Sequence, residues 1–558
     1  MEQQIQSCQM IAPEAFERRR SANYRPNIWK YDFLESLCSK FDEEEYKRRT
    51  EKLTGDVKAM LVEEVHELAK LELIDSVTKL GLSELFEEGI HQKALKRVAV
   101  SAQNRQDGLN DDLYSVALRF RLLRQHGYQV SQDMFSDFLD ENGTFAKSDW
   151  VDVKGLLELF EASCLSLEGE DILDEAKDFS KEILKNVSST LEGDLAKQVA
   201  HSLELSSQRR VQWFDVKWNI NTYERAKNIN PSLLELAKIH FNTVQATLQK
   251  DLRETSRWWS NLGLIKDLSF ARDRLAECFL CAVGVAYEPQ YSNLRKWLTK
   301  AITLILIIDD VYDIYGSLEE LEHFTNAVDR WDPREIQQLP ECMKICFQAL
   351  YNVTNESACE IQEDKGLEQV VLHLKKVWAD FCKAMFVEAK WYREGHTPCL
   401  QEYLDNGWIS SAGTVLCVHS YCSLMHDVPD QEMTTFLEKN QDHMKNVSMI
   451  IRLCNDLATS VAEKERGDAP SSILCYMREM NVSEDEARAN IKGIINKTWK
   501  KLNGQCFTQF PFLQPFGRIT TNIARMVHIL YQYEDGFGVQ DRQTRKQILS
   551  LLVGPFET

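Results

Sequence analysis

Two long stretches, LLELAKIHFNTVQATLQKDLRETSRWW (233–259) and VVLHLKKVWADFCKAMFVEAKWY (370–392), repeat apolar residues three and four apart with charges between them. Residues at that spacing share one face of an α-helix, whereas a half-buried strand needs strict alternation. The helical period recurs along nearly the whole chain, and alternating runs bounded by paired turn signals are scarce. Only 23 Gly and 12 Pro punctuate 558 residues. The chain is therefore expected to be all-α. Its length exceeds one ordinary core. In RAKNINPSLLELAK, Asn230 and Pro231 interrupt one helical pattern and open another, which places a joint there. No short-period solenoid repeat is visible, and a helical scaffold that only binds partners is the natural non-enzymatic alternative.

Composition removes several functions. A net charge of −20 argues against nucleic-acid binding, because that affinity comes from Lys and Arg neutralising phosphates. An anionic ligand must instead meet local cations or metals. The 15 cysteines form no regular framework, and the first residues carry no apolar signal region, so reduced thiols in a reducing compartment are expected. Cys278 and Cys281 lack a second pair at zinc spacing. No apolar run reaches the roughly 18 residues that span a bilayer, so a soluble protein without membrane contact is expected.

The stretch LILIIDDVYDIYG (304–316) runs aliphatic residues straight into Asp309, Asp310 and Asp313. On a helix over 297–315, Asp309 and Asp313 lie one turn apart on one face, with Asp310 about 100° around. A solvated acidic helix end is the ordinary reading of such a cluster. Ile305, Leu306, Ile307 and Ile308 imply burial, where unpaired carboxylates are costly. In IIRLCNDLATSVAEKERGD (450–468), Asn455, Thr459 and Glu463 are spaced i, i+4, i+8 and stay on one stripe, drifting only about 80°. Amide, hydroxyl and carboxylate oxygens suit Mg²⁺ or Mn²⁺ rather than zinc or copper. Arg452, three residues earlier, points to nearly the same side. Two oxygen stripes and an arginine describe a receptor for a polyphosphate whose leaving-group charge metals neutralise.

With these motifs the sequence resembles the plant class I terpene synthases over essentially its whole length. DDVYD (309–313) is similar to the family's aspartate-rich motif, and NDLATSVAE (455–463) to its second metal motif. ARDRLAE resembles the arginine loop that holds the diphosphate, giving Arg272 and Arg274. RRSANYRPNIW resembles the N-terminal double-arginine and tryptophan motif, here Arg19, Arg20 and Trp29, which caps the site. YQYEDGFG resembles the late capping segment, with Tyr531 and Asp535 as catalytic candidates. The resemblance implies a prenyl diphosphate substrate and three Mg²⁺ ions, with Mn²⁺ as a substitute. Asp309, Asp310, Asp313, Asn455, Thr459 and Glu463 are the implied metal ligands. Arg272, Arg274 and Arg452, with Asp309, Asp313 and Asn455, are the implied diphosphate-binding set. It also implies two helical domains: a capping segment 1–30, an α-barrel-like structural domain 31–229, and a catalytic α-bundle 230–558. In the first domain LNDDLY (109–114) has Leu109 where a class II cyclase needs its first Asp. Ordinary structural readings stand beside several of these: surface ion pairs for Arg272 and Arg274, a basic tip for Arg19 and Arg20, a core tyrosine for Tyr531, and a turn for Asp535–Gly536.

Within the family the chain looks most like the angiosperm group of monoterpene, isoprene and α-farnesene synthases, nearest the last. Only 18 residues precede Arg19, among them Glu2, Glu14 and Glu17, unlike a long acid-poor transit segment, so a cytoplasmic monomer using farnesyl diphosphate is expected. Ile451 stands where isoprene synthases usually carry Phe, and Cys281 where many relatives carry Trp. Losing that π face removes a stabiliser of ring-closed cations, so an acyclic product, (E,E)-α-farnesene, is expected. The alternatives are an acyclic monoterpene (ocimene, myrcene or linalool) from geranyl diphosphate, and a non-catalytic helical binding protein.

Overall fold

The computed structural model describes residues 22–557 apart from 42, 65, 87–91, 105–111, 146–151, 269, 364–369, 425–429, 467–469, 510–511, 533 and 541. Among the described residues the chain is helical, with one isolated bridge, Leu139 to Phe145, and no strand. Arg19, Arg20 and Leu109 lie outside the described residues.

Thirteen of the helices concern the site, and only these are labelled. Near the N-terminus are α1 (Tyr31–Ser36), α2 (Leu113–Gln125) and α3 (Val153–Ser163). Asp112 caps α2 by accepting from Ser115 N at 2.8 Å, so this acid of LNDDLY has a helix-end role. Next comes α4 (Pro231–Leu262). Asn230 Oδ1 accepts from Leu233 N at 3.0 Å, Pro231 occupies the first turn, and Gly263 at φ 67° ends the helix, as helix-end chemistry requires. The remainder are α5 (Leu275–Val285), α6 (Ser292–Asp310), α7 (Val370–Glu394), α8 (Leu400–Ser410), α9 (Gly413–Leu424), α10 (Gln441–Arg466), α11 (Ser472–Met480), α12 (Phe516–Leu530) and α13 (Arg542–Leu552).

These form a closed bundle: α5 packs on α6 and α12, α9 packs on α6, α7, α10 and α12, and α10 packs on α12. At Gly284 a Cβ would stand 2.1 Å from Met526 Sδ, so glycine is what lets α5 approach α12. One apolar core runs from Trp29 and Leu34 through Trp213 and the bundle to Leu552. A second, including Leu113, Phe120, Leu156 and Phe179, is confined to the N-terminal domain around α2 and α3. The first core crosses the joint at Asn230, because α1 packs against α4. The end of α13 and the segment after it are held by carboxamides of α4: Gln245 Nε2 donates to Leu551 O at 2.8 Å, Gln249 Nε2 to Leu552 O at 2.7 Å, and Asn242 Nδ2 to Phe556 O at 2.9 Å. Lys217, which precedes the joint at Asn230, reaches Gly554 O at 2.5 Å.

Candidate active site

The aliphatic run of α6 is buried, and the helix changes character at its end. Val311–Tyr315 form a π turn closed by Gly316 N donating to Val311 O at 2.9 Å, a local widening common at functional sites. The three aspartates are therefore not equivalent. The Asp309 side chain is 35% exposed and Asp313 is exposed, whereas Asp310 is fully buried. Asp310 Oδ2 accepts from Arg272 N at 2.8 Å and from Arg272 Nε at 3.2 Å. Arg272 Nη2 donates to Asp309. The Asp310 carboxylate, one of the implied metal ligands, faces inward and holds Arg272. Burial pushes Asp310 up to about 6; Arg272 opposes this and Asp309 adds to it. For Arg272, burial works against the charge, but Asp310, Tyr24, Asp309 and Asp535 raise its pKa well above the ordinary guanidinium value.

Arg274, two residues on, is spent differently. Nε donates to Phe537 O at 2.8 Å, Nη1 to Asp273 O at 2.9 Å, and Nη2 to Arg25 O at 3.1 Å. Backbone carbonyls take these donors in a fully buried position. Trp29 is also buried, with Nε1 donating to Glu277 Oε1 at 2.9 Å. Tyr24, five residues earlier, lies 5.1 Å from the Arg272 guanidinium and senses Asp309, Asp310 and Asp313 electrostatically.

Helix α10 supplies the facing wall. Asn455 is half-buried, and Thr459 is buried with its hydroxyl donating to Asn455 O at 2.9 Å, which leaves the oxygen lone pairs available to a cation. Glu463 lies on the same helix, and its side chain is outside the described residues. Tyr531 hydrogen-bonds Asn455 and sits in the fields of Asp535, Arg272 and Asp309, so it joins the two motifs. Burial pushes its phenol far above the usual range, with Asp535 contributing. Asp535 Oδ1 accepts from Phe537 N at 3.0 Å, and Gly536 fits because a Cβ there would be 2.5 Å from Leu530 O. Arg452 donates from Nη2 to Ser410 Oγ at 2.8 Å and from Nε to Gly407 O at 3.2 Å, and Nη2 lies 3.5 Å from Glu388 Oε1. The pocket candidates sit apart in sequence: Cys281 is buried on α5, and Ile451 is half-buried on α10 beside Gly413.

Sequence reasoning missed Tyr24, Glu277, Glu388 and Asp456. Asp456 is buried, accepting from Tyr403 OH at 2.9 Å and Ser472 N at 3.0 Å, and so ties α10 to α8 and α11. Glu388 takes Ser410 Oγ and Asn406 Nδ2. The available signal was acids at apolar-face positions of long helices, since such acids need partners. A cavity of about 910 Å³ opens elsewhere, between the domains, lined by residues such as Arg121, Arg210, Asp215, Asn503 and Arg525. None of the motif residues lines it.

Two family models match the chain: "Terpene synthase, N-terminal domain" over 28–203 and "Terpene synthase family, metal binding domain" over 260–501. The chain belongs to the terpene synthase family. An alpha-farnesene synthase of Ricinus communis is 59% identical over 561 residues, spanning 100% of this chain and 99% of that protein. An (E,E)-alpha-farnesene synthase of Malus domestica is 58% identical over 97% of this chain and 96% of its own length. The terpene synthase also superposes, with TM-score 0.86 and 42% identity over 95% of this chain and 99% of the other, on isoprene synthase from grey poplar leaves in complex with three Mg²⁺ ions and dimethylallyl-S-thiolodiphosphate. As a terpene synthase it is a lyase acting on prenyl diphosphates and uses divalent metal.

Proposed function

We propose that this terpene synthase ionises farnesyl diphosphate and converts the allylic cation, without ring closure, to (E,E)-α-farnesene. Full-length likeness to two α-farnesene synthases at 59% and 58% identity supports the substrate and product. The observation that carries the chemistry is the meeting of Arg272, Asp309 and Asp310 on one wall with Asn455 on the other through Tyr531.

The residues fit hard divalent cations. Their donors are oxygens, and the Asp309 and Asp313 carboxylates stay accessible. Asp309 and Asp313, with Asn455, Thr459 and Glu463 opposite, would hold Mg²⁺, three ions in the full complement and Mn²⁺ as substitute. Bound there, the ions neutralise charge on the departing diphosphate.

The chain's own groups act as follows. Arg272 offers a planar fork to the diphosphate, and Asp310 fixes that residue through its backbone N and its Nε. Arg452 is held beside Glu388 at the α8 end, ready to add a second guanidinium. Arg274 and Trp29 fasten the covering segments. Tyr531 positions Asn455, and Asp535 or the departing diphosphate takes the proton. We place the enzyme in the cytosol as a monomer; the 14 described cysteines are all free thiols, which fits a reducing compartment. A fluorescent fusion and sedimentation check both points.

The deciding experiment supplies purified protein and Mg²⁺ with dimethylallyl, geranyl and farnesyl diphosphate in turn, followed by gas chromatography with mass detection. Farnesyl diphosphate should give mainly (E,E)-α-farnesene and geranyl diphosphate acyclic C10 products. A mainly cyclic profile overturns the product assignment.

A further inference from the structure

Glu277 stands in the first turn of α5 and is 1% exposed. Its Oε1 accepts from Trp29 Nε1 at 2.9 Å and from Gln540 Nε2 at 2.8 Å, and its Oε2 has no hydrogen bond among the described residues. Gln540 in turn accepts from Ile28 N at 3.0 Å and donates to Asn27 Oδ1 at 3.1 Å. Two segments more than 500 positions apart in sequence, 22–30 and 535–540, are thus joined through one carboxylate and one carboxamide. Arg274 ties the same two segments a second time, through Arg25 O and Phe537 O. Tyr24 of the first segment lies over Arg272, and Asp535 of the second acts on it electrostatically. Together they roof the carboxylate–arginine cluster.

Burial raises the pKa of Glu277, and the bonds from Gln540 and Trp29 oppose that rise. A buried carboxylate is a costly way to fill space. Its advantage is that one ionised oxygen can accept two donors in charge-assisted bonds.

From this geometry we infer that Glu277, with Trp29 and Gln540, is a positioning latch that holds the roof shut and sets the split between hydrocarbon and water-captured alcohol. The inference rests on the terpene synthase reading. On ionisation the C–O bond breaks and its electron pair leaves with the diphosphate. The allylic cation then loses a proton to Asp535 or the departing diphosphate, giving the conjugated hydrocarbon. If water enters, its oxygen bonds to the cationic carbon and the oxonium releases a proton to solvent, giving an allylic alcohol. Both routes share the ionisation step, so the alcohol fraction reports the roof and not the metal site.

The test compares Glu277→Ala, Trp29→Phe and Gln540→Ala with the conservative Glu277→Gln. The assay is run in ¹⁸O-labelled water with the prenyl diphosphate that the unmodified enzyme uses best. Labelled alcohol should rise about fivefold as a share of product in the first three variants, the size expected when one such hydrogen bond is lost. Glu277→Gln keeps an acceptor but not the charge, so it should raise the ratio less than Glu277→Ala does. An unchanged ratio in folded Trp29→Phe and Gln540→Ala overturns the latch, even if Glu277→Ala fails to fold or total turnover falls. Hydrogen exchange over 22–30 and 535–540 gives an arm independent of activity. It should quicken in the disrupted variants, and unchanged exchange overturns the latch. Absence of any product from the unmodified enzyme would instead count against the functional reading.

Discussion

Asp309 and Asp310 are neighbours with different work, and that difference separates what their residue type shows from what their surroundings decide. The spacing of Asp309, Asp313, Asn455 and Thr459 made a hard-cation site legible, because one-turn repeats on an amphipathic helix share a face. The inward turn of Asp310 was not legible, since it depends on Arg272 arriving from another loop. Asp309→Ala and Glu463→Ala should each lower kcat/KM at least about a hundredfold with Mg²⁺ saturating, and circular dichroism should show the fold retained. Losing Asp309 also removes its repulsion of Asp310. Near-normal rates in both variants would refute the metal assignment. Arg272→Lys keeps a charge but not the fork that reaches both aspartates, so turnover should fall and inhibition by inorganic diphosphate weaken about tenfold. Diphosphate inhibition curves check this directly.

At the scale of elements, the break between α8 and α9 is the most specific feature. Ala412 has φ 58°, a left-handed conformation that costs a non-glycine residue about 1–2 kcal/mol, and Gly413 follows. A Cβ on Gly413 would lie 2.7 Å from Ser448 Cα and 2.9 Å from Ile451 Cδ1 on α10. The two positions should respond in opposite directions. Ala412→Gly should be neutral or stabilise by up to about 1 kcal/mol, whereas Gly413→Ala should destabilise by about 1–3 kcal/mol through overpacking. Urea unfolding of both variants decides the matter, and equal shifts would refute the reading. Periodicity located α4 and α7 closely because their apolar faces are long. It did not reveal the π turn at 311–315, because that turn ends the helix at Gly316, so no later turn of the same helix follows in which a shifted apolar register would show.

The whole molecule carries opposing titrations. Burial lowers His419 and His443 to about 4. The unfolded chain, with histidine near 6.5, takes up protons first as pH falls. Their stabilisation is therefore complete above pH 6.5 and lost on descent toward 4, about 3 kcal/mol each at about 1.4 kcal/mol per tenfold change. Asp215 and Asp310, raised to about 6 chiefly by burial, act in the other sense. Their contribution is present at low pH and lost as pH rises through 6. The raw stability curve mixes the two, so the informative measurement is the difference between the unmodified protein and His443→Gln in urea unfolding at pH 7.5 and 5. That difference should move against the unmodified protein by about 2 kcal/mol on acidification, and no change would refute it.

The all-α class was readable from periodicity alone, but contacts between the ends of the chain were not. Trp29 with Glu277, Ile28 with Gln540 and Lys217 with Gly554 join positions hundreds of residues apart, and no local pattern specifies such pairs. These long stitches limit how the protein can be recombined. A hybrid made by exchanging halves with a relative at Asn230 would pair a donor's Trp29 and Lys217 with an acceptor's residues at 277, 540 and 554. A mismatch at 277 would leave Trp29 Nε1 without its acceptor, and one at 540 would leave Ile28 N without its own, whereas Lys217 meets a backbone carbonyl that any residue at 554 supplies. Segments 22–30 and 535–540, with residue 277, should therefore be inherited together, as one interlocking part that the linear order of the sequence conceals.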